Sequence, residues 1–560
     1  MTKSSEVDDE ITSLLKLAQS RHQQGGLPEA LALYRQVLIA DPRNADALQG
    51  IGVLYGQSGR FEQSVKFLFA ATDVQPENFA AHYNLGKARQ ALNQSEAALA
   101  SYNKTLSLRP EYIPAYNNRG NVRRDLRRYA EALGDYDQAL SLKSDYAEAH
   151  FNRGNALTSL QRYQEALAAY DTALSLGIAS AEIHNARGVA LCRLGQSDAA
   201  LDSFAAALAI EPGWAEVHGN RGFALQNMQR YAEALAEYDQ AIGLSPDYAE
   251  AQFNKSRLLL LQGRYREGWA LFEWRWRVAK NRGYARHFKQ DLWLGEQSIA
   301  GKTILLHAEQ GFGDVIQFVR YVSMVEALGA RVILGVPPDL VTLLRSLNAT
   351  FTPATRTDAL PAFDLHCPLM SLPLALGTTL DTIPAAGPYL AADLDKRGEW
   401  RSRLGSRCGP RIGIAWSGSP AHPNERNRSL SLRSLAPLLR LDFEYHSLQK
   451  EVRAADEAAM SEYPQLATHA GELHDFAETA ALVAEMDLVI TVDTVIAHLA
   501  GALGKPVWIL LPYAPDYRWM TERHDSPWYP SARLFRQRSG GDWQGVMDEV
   551  CEALRRMNFP

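Results

Sequence analysis

A period of 34 residues runs through the first half of the chain. Pro42, Pro76, Pro110, Pro212 and Pro246 fall on one grid, and Ser144 and Ile178 occupy the grid points that lack proline. Gly52, Gly86, Gly120, Gly154, Gly188 and Gly222 form a second register; Ala30, Ala98, Ala132, Ala166, Ala200 and Ala234 form a third. A fixed period of this length marks a supersecondary unit that cannot bury its apolar face alone and must stack on its neighbours. The two small residues of each unit let antiparallel helices approach closely, and the proline turns the chain out of the second helix. The expected architecture is therefore an α-solenoid of helical hairpins.

The stretch NLGKARQALNQSEAALASYNKTLSLRP, Asn84 to Pro110, resembles the tetratricopeptide repeat. The resemblance covers residues 11 to 282, within a repeat domain bounded at 1–282, and implies a superhelix whose concave groove binds an extended peptide or a partner helix. Asn84, Asn118, Asn152, Asn220 and Asn254 share one position on the first helix of their repeats. Stacking lines them up in the groove, where each amide can donate to and accept from a peptide main chain. Such a ladder resembles that of the eukaryotic O-linked N-acetylglucosamine transferases and implies acceptor binding; asparagine being common at this repeat position is the alternative. The series breaks at Ala186, with the asparagine displaced to Asn185. The aromatic run WALFEWRWRV, from Trp269, reads as packing that cements the last hairpin to the next domain.

Repeats of this kind do no chemistry, so composition and the second half must say what else is present. The net charge of -6 gives no electrostatic footprint for nucleic acid or an anionic membrane. Four scattered cysteines exclude a disulfide framework and a zinc knuckle. The N-terminus MTKSSEVDDE is acidic where a signal peptide is basic, and no apolar run approaches the roughly 20 residues needed to span a bilayer. A cytoplasmic protein with no nucleic-acid partner and no membrane span is expected.

After Gly301 the pattern changes to strand, turn, helix, strand. TILLH (Thr303 to His307) is an apolar strand, a glycine-bearing turn leads into an amphipathic helix to about Leu328, and Arg331 to Val336 is a second strand. FDLHCPLMSL supplies another strand, and PAAGPYLAADLDKRGEW reads as a linker. A second series begins with RIGIAWSGSP, continues around Tyr445 to Leu448, and ends with the strands DLVITV and PVWILL. Two consecutive Rossmann-like lobes, 283–395 and 396–560, place a ligand cleft at the carboxyl ends of their strands. The segment Trp543 to Met557 has helical spacing and is expected to cross back onto the first lobe.

GFGD (Gly311 to Asp314), WSGSP (Trp416 to Pro420) with Arg428 downstream, and VDTVIAHLAGALGKPVW (Val492 to Trp508) together resemble the heptosyltransferase-like group of the α/β GT-B glycosyltransferases. The resemblance spans about residues 300 to 550 and implies a nucleotide-sugar co-substrate, no other cofactor and no metal. On the residues themselves, a strand running into a helix at Asp493-Thr494 offers unpaired N–H groups at the positive end of the helix dipole, an anion site. Thr494, Val495 and His498 are the candidate donor-diphosphate groups, with Asp493 a helix cap or sugar-hydroxyl acceptor. An ordinary N-cap and a core histidine are the alternative there.

Arg428 resembles the family's diphosphate-binding cation, with Arg426 its competitor. Asp314 resembles the aspartate proposed as general base; His498 is the second catalytic candidate. Gly311, Gly313 and Gln317 are acceptor-side candidates, as is Arg320. Gln449, Lys450 and Phe476 are nucleoside candidates, and Trp519 and Trp528 a sugar platform or core. The DYD at Asp135 and DLD at Asp393 lie in a repeat helix and a linker, outside any strand-end cleft. The expected function is an inverting, metal-independent glycosyltransferase whose repeats recruit a polypeptide or glycan acceptor. The alternatives are an interaction scaffold with a degenerate nucleotide- or sugar-binding domain, and an epimerase acting on nucleotide-sugars.

Overall fold

A computed structural model describes residues 2–284, 288–355, 360–419 and 424–559. They form two compact units, Met1–Gly213 and Trp214–Pro560.

The first unit is an α-solenoid of antiparallel helix pairs, from Thr2–Gln23 with Leu27–Ala40 to Ala181–Arg193 with Ser197–Ile210. The glycine register works by close approach. A Cβ on Gly86, Gly120 or Gly154 would stand within 2.6 Å of the ring of Tyr102, Tyr136 or Tyr170 on the second helix of the same repeat. The alanine register, represented by Ala98, Ala132, Ala166 and Ala200, has no exposure at all. A further register of ion pairs links successive repeats. Arg153 and Arg187 reach back to Asp137 and Asp171 of the preceding repeat at 2.7 and 2.6 Å, while Arg119 takes Asn103 at 2.8 Å.

That packing already engages the asparagines of the expected ladder in this unit. Asn84 donates to the carbonyl of Ala80 in its own helix, Asn118 to the hydroxyl of Tyr83, and buried Asn152 to Asn117. The amides of Asn118 and Asn152 therefore tie successive repeats together, while that of Asn84 is held within its own helix. In the second unit Asn220 and Asn254 are half-buried on the first helices of its two hairpins.

The second unit opens with those hairpins, Ala215–Asn227 with Tyr231–Leu244 and Ala249–Leu261 with Tyr265–Phe272. Two sheets come next, parallel throughout their named strands. The first contains β1 (Asp291–Leu292), β2 (Thr303–His307), β3 (Arg331–Gly335), β4 (Phe351–Ala354) and β5 (Leu365–Pro368), in the order β1-β5-β2-β3-β4. The second contains β6 (Arg411–Ala415), β7 (Glu444–Ser447), β8 (Leu466–Ala467), β9 (Leu488–Val492), β10 (Val507–Leu511) and β11 (Ala532–Arg536), in the order β11-β10-β9-β6-β7-β8. Strands β6, β9 and β10 are buried at every position, which is why they read as unbroken apolar runs. Each sheet winds outward from its middle in both directions, so each has a switch point: β2/β5 in the first, β6/β9 in the second. This is the Rossmann-type pairing of a GT-B fold.

Two expectations are corrected. The linker carries a helix, Leu394–Leu404, started by the Asp393 carboxylate accepting from the Lys396 amide and anchored by fully buried Trp400, whose indole donates to Glu478 at 2.9 Å. The last helix, Trp543–Arg555, stays on the second lobe. Val546, Met547, Val550, Cys551 and Leu554 form one face, and that face joins the core of Ile414, Leu438, Leu510 and Phe535.

Candidate functional site

The turn after β9 and the turn after β6 stand side by side at the second sheet's switch point. Thr494 caps the helix Val495–Ala502: its hydroxyl accepts from the Ile496 amide at 3.3 Å and meets the Thr491 hydroxyl at 3.2 Å. The far end of that helix is also pinned, since the amides of Tyr389 and Leu390 donate to the Ala502 carbonyl at 3.1 and 3.2 Å. Arg428 crosses from the β6 side and donates to the Asp493 carbonyl at 2.9 Å, while its Nε donates to Glu425 at 3.0 Å. The N–H-rich turn and the Arg428 cation expected from the sequence thus stand together, the guanidinium hydrogen-bonded to the turn. Of the WSGSP motif, Pro420 lies outside the described residues, and Gly418 presses so close to Arg428 that a Cβ there would stand 2.5 Å from its Nη2.

The first sheet supplies the opposing wall from its own switch point. Asp314 sits in the first turn of the helix Phe312–Phe318, which comes after β2 and packs on the helix Val495–Ala502. At the mouth, the Phe312 ring meets the Phe476 ring at 4.9 Å. Gly313 packs against the second lobe: a Cβ there would stand 2.8 Å from Cδ2 of His498, so its missing side chain serves contact between the lobes. Gly311 remains exposed at the mouth.

The Asp314 carboxylate is bound by Arg518, from the short turn Tyr517–Trp519. The same guanidinium donates to Asp516 at 2.8 Å and to the Gln317 side-chain oxygen. Arg257, on the helix Ala249–Leu261, approaches the other oxygen of Asp516 at 3.6 Å. Asp314, Asp493 and Asp516 thus gather with Arg257, Arg428 and Arg518 where the two lobes meet. Burial pushes the Asp314 carboxyl up and Arg518 opposes it. Asp493 goes to about 6, raised by burial and then by Asp516, against Arg428 and Arg518. Burial also works against the charge of Asp516, but Arg518 and Arg257 outweigh it and hold the group below the usual carboxylate range. These opposite directions within one cluster are typical of sites that handle protons.

Several sequence candidates turn out to be support. His498 is 5% exposed, stacks on Trp519 at 5.5 Å, and its Nδ1 shares a hydrogen bond with the Tyr529 hydroxyl at 2.9 Å. Burial holds its pKa well below the usual histidine value, so the ring is neutral. Gln317 is fully buried, and Arg320 donates to the Trp528 carbonyl at 2.7 Å and the Tyr389 hydroxyl at 2.9 Å, which makes it a clamp between lobes and not an acceptor contact. Gln449 donates its side-chain N–H groups to the Ser417 hydroxyl and the Glu451 carbonyl and accepts from the Ser417 amide with its side-chain oxygen, so it shapes the β6 turn. Lys450 donates to the His474 carbonyl at 3.1 Å, just ahead of half-buried Phe476. Trp519 and Trp528 are core, 0% and 1% exposed. Asp135, of the DYD triplet, is tied to Arg119 and Arg123.

A surface hollow of about 690 Å³ lies elsewhere, at the β11 edge between Trp508, Arg533 and the last helix. It takes in no strand carboxyl end at a switch point, and an ion pair between Arg538 and Glu549 lines it.

Comparison with known proteins bears on both halves. Models described as tetratricopeptide repeat match residues 21–77, 50–113, 147–176, 165–214 and 220–273, and one described as TPR repeat matches 120–161. The model of glycosyltransferase family 9 (heptosyltransferase) matches residues 445–539. Tetratricopeptide-repeat models thus match the first half of the chain and the glycosyltransferase family 9 model matches part of its second lobe. The match to that family 9 domain contains Asp493, Thr494, His498 and Arg518, and leaves Asp314 and Arg428 outside. Protein FlbA of Caulobacter vibrioides is 26% identical over 51% of this chain and 52% of its own length. Protein O-mannosyl-transferase TMTC3 of Mus musculus is 31% identical over 16% of this chain and 10% of its own. The chain thus spans about half the length of the first relative and a tenth of the second. Among solved structures, that of YrrB, described as a TPR protein with an unusual peptide-binding site, is 28% identical and covers 34% of this chain and 97% of its own, with a TM-score of 0.31. No helix among the described residues is long and apolar enough to cross a membrane.

Proposed function

We propose that the chain is an inverting glycosyltransferase that takes a nucleotide-sugar and needs no metal. The observation that carries this reading is the meeting of two switch points, which sets Asp314 of one lobe against the Arg428–Asp493 turn of the other. The donor diphosphate lies at the start of the helix Val495–Ala502, where main-chain N–H groups and the helix dipole favour an anion. Arg428 supplies the fixed positive charge that the leaving nucleoside diphosphate needs. Phe476 and Lys450, at the mouth, face the nucleoside. Asp314 takes the proton of an acceptor hydroxyl as its oxygen attacks the anomeric carbon from the face opposite the diphosphate. The bond from that carbon to the diphosphate oxygen breaks, with its electron pair leaving on phosphate. Desolvation of Asp314 favours this role, since it makes the carboxylate a stronger base than one in water.

The acceptor is a polypeptide or another large molecule brought by the repeats. In support, the last hairpins lie directly on the crevice loop: Gln229 donates to the Tyr513 carbonyl, Trp269 meets Tyr517 at 5.8 Å, and Arg257 reaches Asp516. A scaffold with a retired site is the competing reading.

Calorimetric titration with uridine, guanosine, adenosine and thymidine diphosphates, followed by donor turnover with the matching sugar nucleotides, tests the choice. One nucleotide is expected to bind, and Asp314→Asn to abolish turnover while leaving that binding intact. Binding without turnover of any donor by the wild type would establish the scaffold; no binding at all would remove both.

A further inference from the structure

Arg518 has no counterpart among the residues read from the sequence, yet it is the most heavily engaged side chain in the crevice. Its side chain is 10% exposed. All three of its nitrogens are committed to side chains: Nη2 to Asp314, Nη1 to Asp516 at 2.8 Å, and Nε to the Gln317 oxygen. Its plane lies over the Tyr517 ring at 4.5 Å. Asp516 is held in turn through its own backbone turn, accepting from the Arg518 amide at 3.1 Å, and by Arg257 from the last repeat. A guanidinium bound at three corners is fixed in place, and a fixed cation beside a carboxylate sets both its direction and its charge.

The geometry points to Arg518 as the positioning residue of the base Asp314, itself held by Asp516, and leaves the donor diphosphate to Arg428. This rests on the transferase reading above. Arg518 faces the wrong way to serve phosphate, because none of its three corners is free while Asp314, Asp516 and Gln317 keep their places. Without it, Asp314 would be a desolvated carboxylate facing the acids Asp493 and Asp516, the neutral ring of His498 and the Tyr517 hydroxyl, with Arg428 the remaining cation in range. Burial would then be opposed mainly by Arg428, and the Asp314 carboxyl would be pushed further up.

Arg518→Lys and Asp516→Asn test this, the second leaving the guanidinium in place but loosened. Nucleoside diphosphate affinity is expected to stay within about threefold of wild type, since the phosphate ligands are untouched. The acid limb of the pH profile of kcat/KM is expected to move up by about one pH unit in Arg518→Lys, and by less in Asp516→Asn, where loss of a negative charge that itself raises Asp314 opposes the loosening of the guanidinium. A more than tenfold loss of diphosphate affinity would make Arg518 a phosphate ligand and overturn the proposal. An acid limb that stays put, with only the thermal midpoint lowered, would reduce the pair to a structural tie and overturn it too. If the wild type binds none of the four diphosphates, the transferase reading itself falls and takes this proposal with it; if binding and turnover persist with an unmoved limb, this proposal alone is lost.

Discussion

Gly313 of the first lobe lies against His498 of the second so closely that a β-carbon would stand 2.8 Å from the imidazole. His498 cannot give way, because Trp519 and the Tyr529 hydroxyl hold it from the other sides. Gly313→Val is therefore expected to cost about 1–3 kcal/mol in urea denaturation by overpacking. Gly311→Ala, two residues away with only an Asp314 oxygen at 3.8 Å, is expected to stay within about 0.5 kcal/mol of wild type. Equal losses in the two would show that the helix Phe312–Phe318 matters by itself and not through its contact with His498.

Arg428 and Arg426 are indistinguishable as neighbours in sequence, and the fold separates them. Arg428 points into the crevice and holds the Asp493 carbonyl, whereas Arg426 is exposed. Removing a charged hydrogen-bond donor to a bound anion costs about 1.5–3 kcal/mol, so Arg428→Ala is expected to weaken nucleoside diphosphate binding roughly 10- to 100-fold. Arg426→Ala should leave the titration unchanged. The reverse order would move the phosphate site out of the crevice.

The difference between what is legible in the sequence and what is not comes from how each feature is encoded. The repeats are written in period, and the strands β2, β6, β9 and β10 in short apolar runs, because strands buried on both faces have no polar side to alternate with. Asp493 is reachable because it sits in the turn just after β9, Asp314 because it starts the helix after β2, and Arg428 because it lies downstream of the WSGSP turn. Arg518 is not: its partner Asp314 lies 204 residues away, and it is embedded in an aromatic stretch with no period. The same stretch hides β11, whose short edge strand alternates only in part. The ion pairs of Arg153 with Asp137 and Arg187 with Asp171 are legible in principle, since both sets of residues recur at the repeat period. His498 misleads for a general reason. A histidine one turn into a helix at an anion site and a histidine packed between lobes look alike until the second lobe is in place.

Acid should weaken the second lobe through a histidine pair remote from the crevice. His446 on β7 and His469 stack at 5.4 Å with Nδ1 and Nε2 3.1 Å apart. Burial first, then His469 and Arg411, lower the pKa of His446 to about 4, with Glu444 pulling the other way. The unfolded chain, with a histidine near 6.5, binds the proton first, so the stability this residue contributes is complete above pH 6.5 and is lost as pH falls towards 4. His446→Gln is expected to remove about 2–3 kcal/mol from the stability difference between pH 7 and pH 4, measured by denaturant titration at each pH. A variant whose loss on acidification matches that of the wild type would contradict the buried, neutral pair.

Within the repeats, the glycine register should matter more than the ion-pair register, although both recur at the same period. Asp137 and its partner Arg153 keep 51% and 25% of their side-chain exposure, so water screens the pair and Asp137→Ala should cost about 0.2–1 kcal/mol. Gly154 meets the Tyr170 ring with only 2.4 Å to spare for a β-carbon, and that ring is fixed by hydrogen bonds from its hydroxyl to Asn155 and with Thr158. Alanine there would gain up to about 1 kcal/mol in helix propensity, but it must displace a locked aromatic side chain at a cost of about 1–3 kcal/mol. Thermal unfolding of the two variants is expected to show the larger drop for Gly154→Ala. If Asp137→Ala proved the more damaging, the repeats would be held by their electrostatic ties, and the close approach of each hairpin's two helices would be secondary.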